Sequence, residues 1–176
     1  MKFRMWSAMA ITGLLLSLAI GCALDRSDLI LRGGTIVTMN EGDLWVESVA
    51  VKNGALVHVG ENYLLDDFMG PKTEIIDLHG RTALPLMDEE LLQALLQQLG
   101  RLSFEGDKTA QQEVLTAGLR EFFEKHPNVS IPLLQDDGSA DLIVLDCNWL
   151  EVSGEQVAAS QLWMRIESGK IVERHL

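Results

Sequence analysis

Ile76-Asp77-Leu78-His79-Gly80-Arg81-Thr82-Ala83-Leu84-Pro85-Leu86-Met87-Asp88-Glu89-Glu90-Leu91-Leu92 is the stretch in which this chain stops reading as strand and starts reading as helix. Thr73 to Leu78 and Thr82-Ala83-Leu84 are short aliphatic and β-branched runs, parted by the turn signal His79-Gly80. From Met87 the period changes. Leu91, Leu92, Leu95, Leu96, Leu99 and Leu102 recur at helical spacing and predict a helix over Glu89 to Leu102. Asp88 is the expected N-cap, and Glu89 and Glu90 fall in the first turn, where negative charge suits the helix dipole.

Working outward toward the N-terminus, Asp28 to Leu84 reads as short strands. Leu29-Ile30-Leu31 leads into the turn signal Gly33-Gly34 and then Thr35-Ile36-Val37-Thr38-Met39; Glu41-Gly42-Asp43 is another turn. Ser48 to Lys52 and Ala55 to Val59 flank Asn53-Gly54, the strongest short hairpin signal, because both central residues must take positive φ. Asn62 to Met69 is a candidate short helix. Toward the C-terminus, a second helix is expected from Thr109, where Thr109-Ala110-Gln111-Gln112 fits a capping box, up to Pro127. Its apolar face is Val114, Leu115, Gly118, Leu119, Phe122 and Phe123. After the loop Gln135 to Gly138, Ala140 to Asp146 is apolar enough to be buried on both faces. Gln161 to Ile166, Ser168-Gly169 and Lys170 to Arg174 form a second hairpin. Strands, two helices, then strands is an α+β order rather than alternating α/β.

The first residues read as targeting sequence, not fold. Lys2 and Arg4 precede an uncharged apolar run from Met5 to Ile20, followed by Leu18-Ala19-Ile20-Gly21-Cys22. This ending resembles the bacterial lipoprotein signal, which implies cleavage before Cys22 and acylation of its thiol and new amine. A plain signal peptide or an uncleaved anchor is the alternative. The apolar run falls slightly short of the roughly 20 residues a spanning helix prefers. Several acyl chains at ~0.8 kcal/mol per CH₂ would hold the protein firmly to a membrane. Ala23 rather than Asp after Cys22 points to the outer membrane, facing the periplasm. The five residues Ala23 to Ser27 reach at most ~18 Å, so the fold is expected close to the bilayer.

Of 176 residues, 155 would remain after cleavage, enough for one domain with a real core. Taking away Lys2 and Arg4 leaves 12 basic against 26 acidic residues, a formal charge of −14. Nucleic acid is therefore excluded as a partner, since phosphate binding needs clustered cations. Cys147 would be a lone thiol in an oxidising compartment, either half-buried and silent or free to form an intermolecular disulfide.

Asp28 to Met39 is similar to the opening of the amidohydrolase superfamily, and Val49 to Gly60 to its next hairpin; the family 3 branch is the nearest likeness. Ile76 to Pro85 resembles the run-up to that family's metal motif. Gly138 to Asp146 and Ile166 to Val172 resemble its closing segments. The resemblance covers roughly Asp28 to Pro85 and Gly138 to the end. It implies a β-sandwich composed of both chain ends beside a catalytic barrel that holds zinc or another divalent metal. Leu99 to Asn128, with Phe104-Glu105-Gly106 and Leu119 to Pro127, resembles the first strand–helix part of that barrel.

The likeness breaks where the chemistry should be. After Pro85 the family continues with Gly, two apolar residues, Asp, any residue, His, any residue, His. Here one residue must be deleted to keep Asp88, and the two histidines fall on Glu90 and Leu92. Only 55 residues run from Leu86 to Ala140, whereas an eight-unit barrel takes about 250 and one βαβ unit about 30. His58, His79, His126 and His175 are never two or four apart; His58 is expected at a surface or edge, His79 in a turn, and His126 in a last helical turn. Asp66-Asp67, Glu89-Glu90 and Asp136-Asp137 are adjacent carboxylates that diverge rather than converge. Gly-x-Ser-x-Gly, a phosphate loop and Cys-x-x-Cys are all missing from the sequence.

The expectation is therefore an α+β chain: signal 1–21, lipidated Cys22 and tether 22–27, a composite β-sandwich from 28–85 and 138–176, and a helical insert 86–137 in place of a TIM barrel. No catalytic or metal residue is assigned and no cofactor is expected. Cys22 is the one assigned site. The function expected is a non-catalytic, membrane-anchored lipoprotein. The alternatives are a hydrolase of non-peptide carbon–nitrogen bonds by descent, or a truncated gene remnant. The leucines of Glu89 to Leu102 either cover the sandwich face left bare by the barrel or offer a surface to a protein partner or second copy. A small-molecule ligand is unidentified.

Overall fold

The computed structural model describes residues 26–104, 106–130 and 132–175. The chain runs through β1 (Leu29–Arg32), β2 (Thr35–Val37), β3 (Trp45–Val46), β4 (Ser48–Lys52), β5 (Ala55–Gly60), β6 (Glu74–Asp77) and β7 (Thr82–Pro85). Then come α1 (Glu89–Leu99), α2 (Lys108–Lys125), β8 (Leu142–Leu145), α3 (Gly154–Ala158), β9 (Leu162–Glu167) and β10 (Lys170–Arg174). A 3₁₀ helix, Asn62–Asp67, joins β5 toward β6. The strands make a four-stranded sheet, β5-β4-β1-β6, and a six-stranded sheet, β10-β9-β8-β7-β2-β3. Among the described residues no barrel is closed, and the class is α+β.

Alternation along the strands builds the sandwich. Successive strand side chains point to opposite faces. Leu29, Leu31, Val49 and Val51 of the smaller sheet meet Ile36, Ala83, Leu142, Val144, Met164 and Ile166 of the larger one in a shared core. Ile30 and Ala50 point the other way and are covered by Leu65 of the 3₁₀ helix, with Phe68 and Met69 beside it. β8 is buried on both faces, as its sequence predicts.

Two corners carry the chain between the sheets. β1 and β2 lie in different sheets although only Gly33 and Gly34 separate them. A Cβ on Gly34 would stand 2.4 Å from Leu78 Cδ1 and 2.9 Å from the Arg81 carbonyl oxygen, so only glycine fits there. β6 and β7 make the same crossing beside it, parallel to β1 and β2. The Gly80 N–H donates to the Gly33 carbonyl at 2.6 Å and locks the two corners together. Asn53-Gly54 has both φ angles positive, 51° and 84°, as its hairpin requires.

The C-terminal strands extend the sheet that the N-terminal strands begin. β8 pairs antiparallel with β7, and β9 and β10 add outward from it. The Leu56 N–H donates to the Gly138 carbonyl at 2.8 Å, and the Ala140 N–H to Gly54 at 2.9 Å.

The outer face of the six-stranded sheet is roofed by helices. Leu92, Leu95, Leu96 and Leu99 of α1 and Leu115, Leu119 and Phe122 of α2 pack on Val37, Leu84, Ile143 and Leu145. Leu92, Leu95, Leu96 and Leu99 of the stripe are thus buried within the chain, covering the sheet, with Leu91 and Leu102 half-buried at its ends. α1 begins at the expected cap: Asp88 Oδ1 accepts from the Leu91 N–H at 2.8 Å. It ends earlier than expected, at Leu99, because Gly100 is wedged against α3, where a Cβ would meet Ala158 Cβ at 2.4 Å.

Further expectations need correction. α2 starts at Lys108, with Asp107 as N-cap accepting from the Ala110 N–H at 3.1 Å, so Thr109 is helical rather than capping. Among the described residues no strand lies between β7 and β8, so the strand–helix likeness of Leu99 to Asn128 holds only for its helix. α3 was not anticipated; Ser153 and Gln156 form its capping box.

Candidate functional site

The stretch Asp88 to Leu92, singled out in the sequence for its resemblance to a metal motif, is occupied by helix-forming and core-forming chemistry. Asp88 spends a carboxylate oxygen on the first turn of α1. Glu90 is exposed on that turn. Leu92 is buried between α1 and the sheet. An open metal site needs imidazole and carboxylate oxygens or nitrogens converging on one point. An N-cap carboxylate followed by an outward glutamate and an inward leucine does not fit a divalent ion. Among the described residues, no three His, Cys, Asp or Glu side chains come together in a way that could hold one.

The histidines are dispersed, each in its own local setting. His79 sits in the β6–β7 turn beside Asp77, its Nδ1 3.3 Å from Oδ1. His126 caps α2, with Nδ1 2.7 Å from the Phe122 carbonyl and its ring stacked on Phe122 at 4.2 Å. His175 Nε2 lies 2.9 Å from Glu173 Oε1. His58 lies on the edge strand β5, as one of its expected settings had it, but it is not at the surface. The pairing of β4 and β5 shifts register between Ala50 and Val51, so Ala50 faces His58 while Val51 faces Leu56. This turns the His58 ring beneath the 3₁₀ layer, stacked 5.0 Å from Phe68. Its Nε2 is buried without a hydrogen-bond partner. A bulge is set by pairing across strands, and no pattern within β5 announces it.

Cys147 is half-buried beside the end of β8, with Sγ 3.1 Å from Ser160 Oγ. Burial pushes its thiol up from the ordinary range, the Asp146 charge adds to this, and the Ser160 hydrogen bond works against it. A thiol so placed is a poor nucleophile at neutral pH. Ser160 also takes the indole N–H of Trp149 at 3.2 Å. Trp149 is fully buried; its own N–H donates to Thr82 Oγ1 at 2.9 Å, and its carbonyl accepts from Gln111 Nε2 at 2.7 Å. Trp149 is thus the pin between sheet and helices. No apolar period marks Trp149; its signal in the sequence is a tryptophan set between a strand and a capping box.

Two surface clefts stand out. One, of about 280 Å³, lies between the loop holding Met39, Glu41 and Leu44 and the α2 residues Leu119, Arg120 and Phe123. The other, about 420 Å³, opens at the strand-to-helix switch, with Leu86, Asp88 and Leu91 facing Val129, Pro132 and Arg165. Neither gathers an acid, a base and a nucleophile on one point. Trp163 of β9 is flanked by the guanidinium groups of Arg81 and Arg174, at 4.3 and 4.9 Å from its ring. Each is a cation–π contact that fixes an arginine against the half-buried indole.

Cys22, the one site assigned from sequence, lies outside the described residues. Among those residues, no helix is long and apolar enough to cross a membrane. The chain matches no family model, and no curated protein gives a significant match. Among solved structures, a protein from Bacillus thuringiensis is 33% identical over 37% of this chain and 88% of its own, with a TM-score of 0.33. An uncharacterized metal-dependent hydrolase from Pyrococcus furiosus is 26% identical over 46% of this chain and 18% of its own, with a TM-score of 0.30.

Proposed function

We propose that this chain is a non-catalytic lipoprotein of the bacterial envelope, held by acylated Cys22, probing or bracing its surroundings rather than turning over a substrate. In this reading residues 28–85 and 138–176 are the composite sandwich of an amidohydrolase ancestor, and residues 86–137 stand where the barrel was. The outer membrane, periplasmic side, is the proposed location.

The observation that carries the reading is the fate of the metal stretch. Asp88 caps α1 and Leu92 is buried under it. A helix that uses these positions for its own start and its own core has no ligand set left for a metal-activated water, which such hydrolysis requires. The buried leucine stripe supports the same reading, because it gives the sheet face a roof of its own.

The test is made on full-length protein expressed in a bacterial host and recovered from membranes. Mass analysis of the N-terminal peptide should show Cys22 diacylated and N-acylated, and Cys22→Ala should abolish that mass. Zinc and iron should be substoichiometric, with no turnover of amides or cyclic ureides. One equivalent of tightly held metal together with turnover would overturn the non-catalytic half. An unacylated Cys22 would overturn the lipoprotein half.

A further inference from the structure

The outer face of the four-stranded sheet is closed by little more than the 3₁₀ helix Asn62–Asp67, and that cover leaves large apolar side chains in solvent. Tyr63 is 77% exposed and Leu64 46%. Ile75 of β6, 42% exposed, pairs with Ile30 in the β1–β6 register. Cross-strand partners share a face, and Ile30 packs under the 3₁₀ layer with Leu65. Ile75 therefore belongs to the same outer surface as Tyr63 and Leu64.

The chain enters the fold at this surface. Arg26 Nη1 donates to the Asp67 carbonyl at 2.7 Å. The Ser27 N–H donates to the Phe68 carbonyl at 3.0 Å, and its hydroxyl donates to the same oxygen at 2.8 Å. From Cys22 to Arg26 the backbone can span at most about 14 Å. A Cys22 fixed in the headgroup region thus brings the 3₁₀ layer to the bilayer, while the helical roof stays two sheet layers away, on the order of 20 Å further out. Tyr63 is the single tyrosine of the sequence. A phenol with an apolar ring and a polar tip is suited to a membrane–water interface.

We propose that Tyr63, Leu64 and Ile75 form a membrane-facing surface that rests in the headgroup region of the bilayer. This rests on the lipoprotein reading, which supplies the anchor. The neighbouring charges refine the lipid. Glu61, Asp66 and Asp67 are exposed on the 3₁₀ segment, against Lys72 and against Arg26, whose guanidinium lies on the Asp66 and Asp67 carbonyls. Carboxylates are repelled by a negative leaflet, so the surface suits zwitterionic headgroups.

A photoreactive benzophenone side chain placed at position 63 tests this in full-length protein on bacterial membranes. Position 172 is the control, since Val172 is also exposed, at 53%, but lies on the edge strand β10 of the other sheet. Illumination should give lipid adducts at 63 several-fold above those at 172. In phosphatidylcholine proteoliposomes the difference should persist, and it should shrink when phosphatidylglycerol replaces part of the lipid. Equal adducts at 63 and 172, or a protein adduct at 63 in place of lipid, with Cys22 shown by mass to be acylated, overturns the membrane-facing surface alone. Unacylated Cys22 overturns the lipoprotein reading, and this surface falls with it.

Discussion

The two outer faces of the sandwich are finished in unlike ways. Among the described residues, fifteen buried apolar residues pack together behind the six-stranded sheet under α1, α2 and α3, Phe122 and Trp149 among them. Behind the four-stranded sheet, the 3₁₀ helix encloses three, Ile30, Ala50 and Leu65. A sheet face is stable only when its apolar side chains are withdrawn from water. The first face achieves this with its own polypeptide and leaves its leucines inside. The second is barely sealed and shows Tyr63 and Leu64 to solvent. Stability is therefore concentrated on the helical side, and freedom to meet another surface on the thin side.

Paired truncations should break or sharpen this contrast most strongly. Phe122→Ala empties a fully buried site on the helical side and should cost about 3–5 kcal/mol. Leu65→Ala, 2% exposed on the thin side, should cost nearer ~2 kcal/mol, since the site lies close to solvent and collapses more readily. Denaturant unfolding of both variants measures the difference, and equal losses would refute the asymmetry.

A smaller effect is expected at the start of the roof. Asp88→Ala removes the α1 cap and should cost ~1 kcal/mol, with Asp88→Asn recovering most of it, because an amide oxygen still accepts from the Leu91 N–H. Recovery by Asn would agree with a capping role, whereas a metal-ligand role would demand the charge.

The smallest effect belongs to the thin side. The Asn53 N–H, donating at 2.8 Å, and the Lys52 ammonium at 3.1 Å hold the Asp28 carboxyl below its ordinary range. A folded value below the unfolded one, about 3.9, stabilises the fold at higher pH. That contribution is lost as pH falls below the unfolded value and through the folded one. Because the side chain is half exposed, at 52%, Asp28→Asn should cost at most about 1 kcal/mol at neutral pH. The difference from the parent chain should vanish in acid, as equilibrium unfolding against pH would show.

Local chemistry made part of this legible. Asn53-Gly54 and Ser168-Gly169 each demand a left-handed pair, and both adopt it. The leucine spacing and Asp88 place α1 within a few residues. The start of α2 was harder: Thr109 reads as its cap, whereas the fold uses Asp107, two residues earlier. The short α3 carries its capping box in Ser153 and Gln156, yet five residues give too little period to stand out from a loop.

The sequence by itself determined most strands and the two longer helices, because turn dihedrals, caps and apolar period act over a few bonds. It also determined that the residues at the metal stretch cannot form a paired-histidine site. Tertiary structure decided the rest. It sent β1 and β2 into different sheets across two glycines, turned His58 inward through a shifted register, and gave one sheet face a full roof and the other a thin one. Each of these depends on contacts between residues far apart in the chain. Burial is a property of the whole arrangement rather than of any one segment.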